Sequence, residues 1–281
     1  MKFFAIRYFV VKSSLTIFQL EANKKPRDLF IDPLVNRNEA KYYKRTYTTR
    51  VLNKSPEEDL LIGYLLKSKD THLIKLDSEL FDEEDIKNWE KLFFTIDLEK
   101  QIIAIEHQAH VSSPENVLNV LTKLTNQYSN KFGYEVKLEF LVDKFAFWDI
   151  VEKSSGIYQI GFDLNAPNLF GGSKKANEWL KNLKEKHNMS KITFDIRNEN
   201  GELGYEEDEL ESYRDYADSG GGNWTLGILQ DGKKRKFKSS NHLRRKELEF
   251  NSEDPVKLIQ QLEKTKTILK SLIDVLDNIN G

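Results

Sequence analysis

The second half of the chain alternates between strand-type and helix-type hydrophobic patterns, and this order restricts the fold more than any other feature. Residues 157–167 and 191–198 predict strands, whereas a segment capped by Ser173 and residues 205–217 place apolar side chains at helical spacing. A hairpin around the turn Asp231-Gly232 follows at 223–240. The order β-α-β-α-β-β predicts an α+β sandwich half with a mainly antiparallel sheet, similar to split βαβ folds.

The first half predicts a second α+β sandwich half, also with a mainly antiparallel sheet. Its clearest helix begins at Ser112 or Ser113, has Pro114 in its first turn and ends at Gly133. The other predicted elements are a buried strand (3–11), a strand or long loop (41–50), apolar runs (60–66 and 73–76), a short helix (82–90), a hairpin (92–108), a strand (134–142) and a short helix (145–153).

A long C-terminal helix is predicted from Asp254 and Pro255 onward. Its apolar positions are spaced four and three residues apart over about three heptads, and they are Leu258, Leu262, Thr265, Leu269, Leu272, Leu276 and Ile279. The helix either packs across its own domain or uses residues 255–279 to dock onto a second copy or a partner protein. We therefore expect domains at 1–155 and 156–251, followed by this helix at 252–281.

Composition excludes several classes of chemistry. The 281 residues include no Cys, which excludes a disulfide scaffold, a Cys-ligated metal and a thiol nucleophile. No apolar stretch is long enough to predict a membrane-spanning helix. We expect a cytoplasmic protein with no membrane partner.

The net charge of −2 conceals two oppositely charged segments. Residues 202–218 contain eight acids and one base, a net charge of −7, whereas residues 233–246 carry +8. The second segment predicts RNA or DNA binding, because Lys and Arg neutralise phosphates and Trp224 or Phe237 offers a ring for a base. The alternative is that the two segments pair within the fold or are only solvated. The candidate bases are Lys233, Lys234, Arg235, Lys236, Lys238, Arg244, Arg245 and Lys246.

A metal-dependent nuclease is the second hypothesis. Glu135 and Lys137 form a Glu-x-Lys tripeptide on a predicted strand, and Asp97 or Glu106 would supply the upstream carboxylate. These carboxylates would hold Mg²⁺, the one cofactor that the sequence suggests, while the lysine orients water. The alternative is a solvated strand face, because Glu135 and Lys137 alternate with apolar neighbours.

Three consecutive glycines, Gly220-Gly221-Gly222, follow a predicted helix and precede a strand. This order does not match a phosphate-binding loop, which precedes a helix. A helix stop with a bulge is expected, and the alternative is a loop that a ligand approaches closely.

Four segments of the chain, taken in order, resemble those of a known family. They are FFTIDLEKQIIAIE, a Ser-Pro helix, FDLNAPN and GGGNWTLGILQDGKKRKFKSS. Over about residues 3–250 the chain resembles an uncharacterised bacterial family, a domain-of-unknown-function family often found near phage-defence genes. The resemblance implies a recognition component of an anti-phage defence system and supplies no active residues. A nuclease effector and a protein-interaction subunit assembling through the C-terminal helix are the alternatives.

Overall fold

A computed structural model describes residues 1–13, 24–53, 59–75, 82–165, 174–249 and 260–277. Its strands in this part of the chain are β1 (Lys2–Lys12), β2 (Ala40–Tyr42), β3 (Arg45–Val51), β4 (Leu60–Lys75), β5 (Asp82–Asp97), β6 (Ile102–Glu106), β7 (Tyr134–Phe140), β8 (Gly156–Asn165), β9 (Lys191–Arg197), β10 (Gly222–Gln230), β11 (Lys233–Lys238) and β12 (Arg245–Glu247). The α-helices are α1 (Pro26–Val35), α2 (Pro114–Ser129), α3 (Ala146–Glu152), α4 (Lys174–His187), α5 (Glu207–Tyr216) and α6 (Leu262–Asp277).

The described strands form two sheets. One has eight strands in the order β12-β1-β6-β5-β4-β3-β2, with β7 paired to β1, and the other has the order β11-β10-β8-β9. All three pairings of the four-stranded sheet are antiparallel, which confirms the α+β class and the β-α-β-α-β-β order. Because β8 and β9 pair directly and antiparallel, the sheet differs from a split βαβ unit, whose helix-connected strands run parallel.

The contacts divide the chain into two compact units. The first comprises residues 1–3, 10–137 and 247–271, and the second comprises 4–9, 138–246 and 272–281. The predicted domain boundaries at 155/156 and 251/252 concern independent folding, which this division does not test, and they stay predictions.

The predicted short helix at residues 82–90 is wrong, because these residues begin the sixteen-residue strand β5. Strand β5 pairs along its whole length with β4, which joins the two predicted apolar runs into one strand. The register places Lys67 opposite Glu90 and Asp70 opposite Lys87. Cross-strand pairing with a distant segment overrides the local helical preference of an acidic stretch.

Several first-half predictions are confirmed. Ser113 caps α2, since its side-chain oxygen accepts a hydrogen bond from the Asn116 amide at 3.3 Å. Strands β5 and β6 form the predicted hairpin, strand β7 lies within 134–142, and α3 lies within 145–153. In the second half, the predicted caps at Ser173 and Asp254 lie outside the described residues.

One face of the four-stranded sheet forms the core of the second unit. Phe162 and Trp224, both about 1% exposed, lie on this face and pack against Phe147 of α3. The rings of Phe147 and Trp224 meet edge to face with centroids 5.3 Å apart. Side chains alternate along each strand, and the opposite face is largely polar because it carries Gln159, Asp163, Asn223 and Thr225.

The three glycines end α5 and turn the chain into β10. A π-turn covers Ala217–Gly221, and Gly220 has a left-handed φ of 86°. A side chain on Gly222 would lie 2.1 Å from the Asp163 carbonyl oxygen, and one on Gly221 would meet the Tyr216 ring. The close approach comes from the protein's own atoms, which agrees with the expected helix stop and requires no ligand.

Helix α6 buries its apolar face within the folded chain. Leu269, Leu272, Ile273 and Leu276 are between 0 and 3% exposed, whereas Val275 is 47% exposed. This burial agrees with a helix that packs within its own chain, and docking onto a partner through residues 255–279 stays a prediction.

Candidate nucleic-acid interface

The β10-β11 hairpin presents the basic segment at a sheet edge. Asp231 and Gly232 both have positive φ angles, 52° and 71°, as a tight two-residue turn requires. This turn sets Gln230 opposite Lys233, and β11 is the outer strand of its sheet. Lysines on an edge strand also oppose aggregation, so their location alone does not assign a ligand.

The hairpin bases are exposed, and their pairing differs. Lys234 forms an ion pair with Glu199 at 2.5 Å, and Arg235 lies 4.0 Å from Asp231. Within the described ranges, no ion pair involves Lys233, Lys236 or Lys238, and no acid of residues 202–218 pairs with the hairpin. The acidic segment therefore does not neutralise the hairpin.

Lys234, Lys236 and Lys238 point to the polar face of the sheet. Lys234 Nζ lies 5.0 Å from the centroid of the Tyr158 ring. Hydrogen bonds from Arg197 and Gln159, with a smaller contribution from the charge of Lys236, hold the pKa of Asp195 below its usual value. This face combines cations with an aromatic ring and with carboxylates that are already engaged.

A cavity of about 410 Å³ lies on the other side of the hairpin. Arg235, Phe237 and His242 line it together with Asp143 and Asp149. Burial lowers the pKa of His242, which favours its neutral form, and its ring stacks on Trp224 with centroids 5.9 Å apart. The partly buried Phe237 therefore offers an aromatic edge beside a cation, the combination that unpaired bases use.

The proposed stacking role of Trp224 is wrong. Its ring is 1% exposed, and its indole N–H donates to Asp218 Oδ1 at 2.8 Å. Trp224 has the same strand parity as Leu226 and Ile228, so the alternation along β10 already carried the signal that it faces the core.

Arg244 also has a structural role, and its guanidinium is not free to bind a phosphate. Its guanidinium donates to the carbonyl oxygens of Leu276 at 2.8 Å and Val142 at 3.1 Å. These bonds satisfy a carbonyl at the C-terminus of α6. Arg245 and Lys246, by contrast, are exposed and form no ion pair in the described part of the chain.

The nuclease residues do not come together. Asp97 is 7% exposed and accepts hydrogen bonds from the amides of Glu99 and Lys100, so it holds the β5-β6 turn. Strands β6 and β1 lie between β5 and β7 in the sheet order, so Glu135 and half-buried Lys137 are three strands away from Asp97.

Glu106, the other upstream carboxylate, is also occupied. It accepts hydrogen bonds from the Phe93 amide and the Gln108 side chain. No group of three or more acidic or histidine side chains in the described ranges could hold a metal ion. The described residues therefore provide no site for the Mg²⁺ ion of the nuclease hypothesis.

The sequence interpretation missed Tyr158, Arg197 and His242. Arg197 shares strand parity with Lys191 and Asp195, so alternation along β9 could have placed it on the polar face. The position of Tyr158 could not be identified in this way, because it depends on an irregularity in the register between β8 and β10, next to Gly227.

Comparisons with known proteins place the chain in a family. No helix in the described ranges has the length and apolar character needed to cross a membrane. No curated protein matches the sequence. The profile of a domain of unknown function, DUF4747, matches residues 38–267, which is most of the chain. The protein therefore belongs to the DUF4747 family.

Proposed function

We propose that this protein binds RNA or DNA through the exposed edge of the β10-β11 hairpin. The observation that carries the proposal is a set of three ammonium groups, Lys233, Lys236 and Lys238, exposed on one strand and without an ion pair among the described residues. Cations of this kind neutralise nucleic-acid phosphates, and the release of counterions from the nucleic acid favours binding. Arg245 and Lys246, on β12 of the eight-stranded sheet, are further exposed bases.

Single-stranded nucleic acid is the form that fits best. Binding proteins for single strands combine a basic track with aromatic rings that accept unstacked bases. Here Phe237 borders the 410 Å³ cavity beside Arg235 and shares its strand face with Lys233, while Lys236 and Lys238 lie on the opposite face of the same strand. A duplex keeps its bases stacked and would use only the lysines.

The biological role that we propose is a recognition component of a bacterial anti-phage defence system, acting in the cytoplasm. The support for this role is the resemblance of the sequence segments, and the absence of Cys is compatible with a reducing compartment.

Charge reversal on the hairpin tests the binding proposal. Fluorescence anisotropy with labelled single-stranded RNA, single-stranded DNA and duplex DNA compares the wild type with Lys236→Glu/Lys238→Glu. The matched control is Lys181→Glu/Lys186→Glu, which makes the same charge change at exposed positions on α4. We expect at least a tenfold loss of affinity in the hairpin variant and less than a twofold loss in the control.

Two results would overturn the proposal. One is unchanged affinity in the hairpin variant, and the other is an equal loss in both variants, which would indicate only a net-charge effect. Phe237→Leu retains an apolar side chain and removes the ring. It should weaken single-strand binding more than duplex binding, with the thermal unfolding midpoint as a folding control.

A further inference from the structure

A second cavity, of about 630 Å³, opens in the second unit at the other edge of the four-stranded sheet. Strand β9 forms its floor, and α4, α5 and the segment before α5 form its walls. Its aromatic and acidic lining residues are Trp179, Phe194, Tyr205, Glu206, Glu209 and Tyr213. The volume suits a small organic molecule or one large side chain.

The Tyr213 ring contacts two other aromatic rings that line this cavity. The centroid of the Tyr213 ring lies 5.5 Å from that of Trp179 and 5.0 Å from that of Phe194. Trp179 is 37% exposed although it is a large apolar side chain, and Ile196 beside it is 42% exposed. The rings thus form a wall that is accessible from solvent.

The charged residues that line the cavity are acidic. The carboxylates of Glu206 and Glu209 lie at the start of α5, both residues are exposed, and neither forms an ion pair in the described part of the chain. The Tyr213 hydroxyl donates to Glu209 Oε1 at 2.9 Å, which fixes one carboxylate against the aromatic wall. None of the described lining residues is basic. A phosphate or carboxylate ligand would be repelled here, whereas a cation would be attracted.

We propose that this cavity binds the quaternary ammonium group of a small soluble compound. Aromatic faces attract a cation through the ring quadrupole, and Trp gives the strongest attraction. A primary ammonium ion or a metal ion is strongly hydrated and would exchange its water for few acceptors, since most of the lining is apolar. A trimethylammonium group keeps its positive charge, loses little hydration and presents methyl groups to the rings.

Choline and its uncharged isostere test this inference on the full chain. In 3,3-dimethylbutan-1-ol a carbon replaces the nitrogen, so shape is retained and charge is lost. The indole N–H signals in NMR spectra follow each titration. Choline should shift the Trp179 signal and leave the Trp89 signal unchanged, because Trp89 lies in the first unit. We expect the isostere to bind at least tenfold more weakly than choline.

Variants complete the test. Trp179→Leu should reduce choline affinity at least tenfold, and Trp89→Leu, at another exposed indole, should leave it unchanged. Glu209→Gln retains an acceptor for Tyr213 and should weaken binding severalfold. Equal binding of choline and the isostere, absence of a choline-dependent shift, or full affinity in Trp179→Leu would each overturn the inference.

Discussion

Burial decides the roles of individual polar residues in the second unit. Asp218 is 2% exposed, accepts the Trp224 indole N–H and lies 3.6 Å from the Arg214 guanidinium. In the sequence, Asp218 is one of eight acids in a solvated-looking segment. Only the π-turn at Ala217–Gly221 carries it into the core, so its environment could not be predicted from composition.

Asp218 makes stability depend on pH. Burial raises the pKa of its carboxyl from 3.8 to about 7, because the charged form is penalised in the core. The folded chain therefore holds this proton more tightly than the unfolded chain, and stability is lost as the pH rises from about 4 to 7. Asp218→Asn keeps a carbonyl acceptor and cannot ionise. Relative to the wild type, it should gain roughly 2–3 kcal/mol in unfolding free energy between pH 5 and pH 8.

Urea unfolding at the two pH values measures this difference. Asp208→Asn, at an exposed position on α5, is the control and should not change the pH dependence. An equal destabilisation by Asp218→Asn at pH 5 and pH 8 would contradict the prediction, because it would mean that the ionised carboxylate is needed at both.

Elements defined by local signals were predictable, and those defined by distant partners were not. The hairpin at 223–240 carries its Asp-Gly turn in the sequence, and α2 carries its Ser-Pro start. The start of β5 carries no such signal, since its strand conformation depends on pairing with β4. The sequence does not predict helix α1, because residues 21–59 contain three prolines. Pro26 occupies the helix start, where proline is tolerated, whereas Pro33 lies inside the helix.

Helix α6 provides a prediction at the scale of an element. Leu276 is 1% exposed, so Leu276→Ala leaves a cavity and should lower the unfolding free energy by about 2–5 kcal/mol. Val275→Ala, one position away and 47% exposed, should change it by less than about 0.5 kcal/mol. Denaturant unfolding of both variants measures the contrast. Similar small effects would contradict packing of this face within the folded chain.

At the scale of the whole molecule, a net charge near zero conceals two surfaces of opposite charge, which favour ligands of opposite charge. The basic hairpin edge and the acidic aromatic cavity border opposite edge strands of one sheet, β11 and β9. The sequence identified both charged segments. It could not show which bases remain unpaired, since Arg244 is bonded to backbone carbonyls and Lys234 is paired with Glu199.

The salt dependence of nucleic-acid binding tests the central claim most directly. Each phosphate neutralised on a single strand contributes about −0.7 to the slope of log Kobs against log salt concentration. Removing the Lys236 and Lys238 contacts should therefore make the slope shallower by about 1.4, while Lys181→Glu/Lys186→Glu should leave it unchanged. An identical slope for the wild type and Lys236→Glu/Lys238→Glu would contradict binding at the hairpin edge.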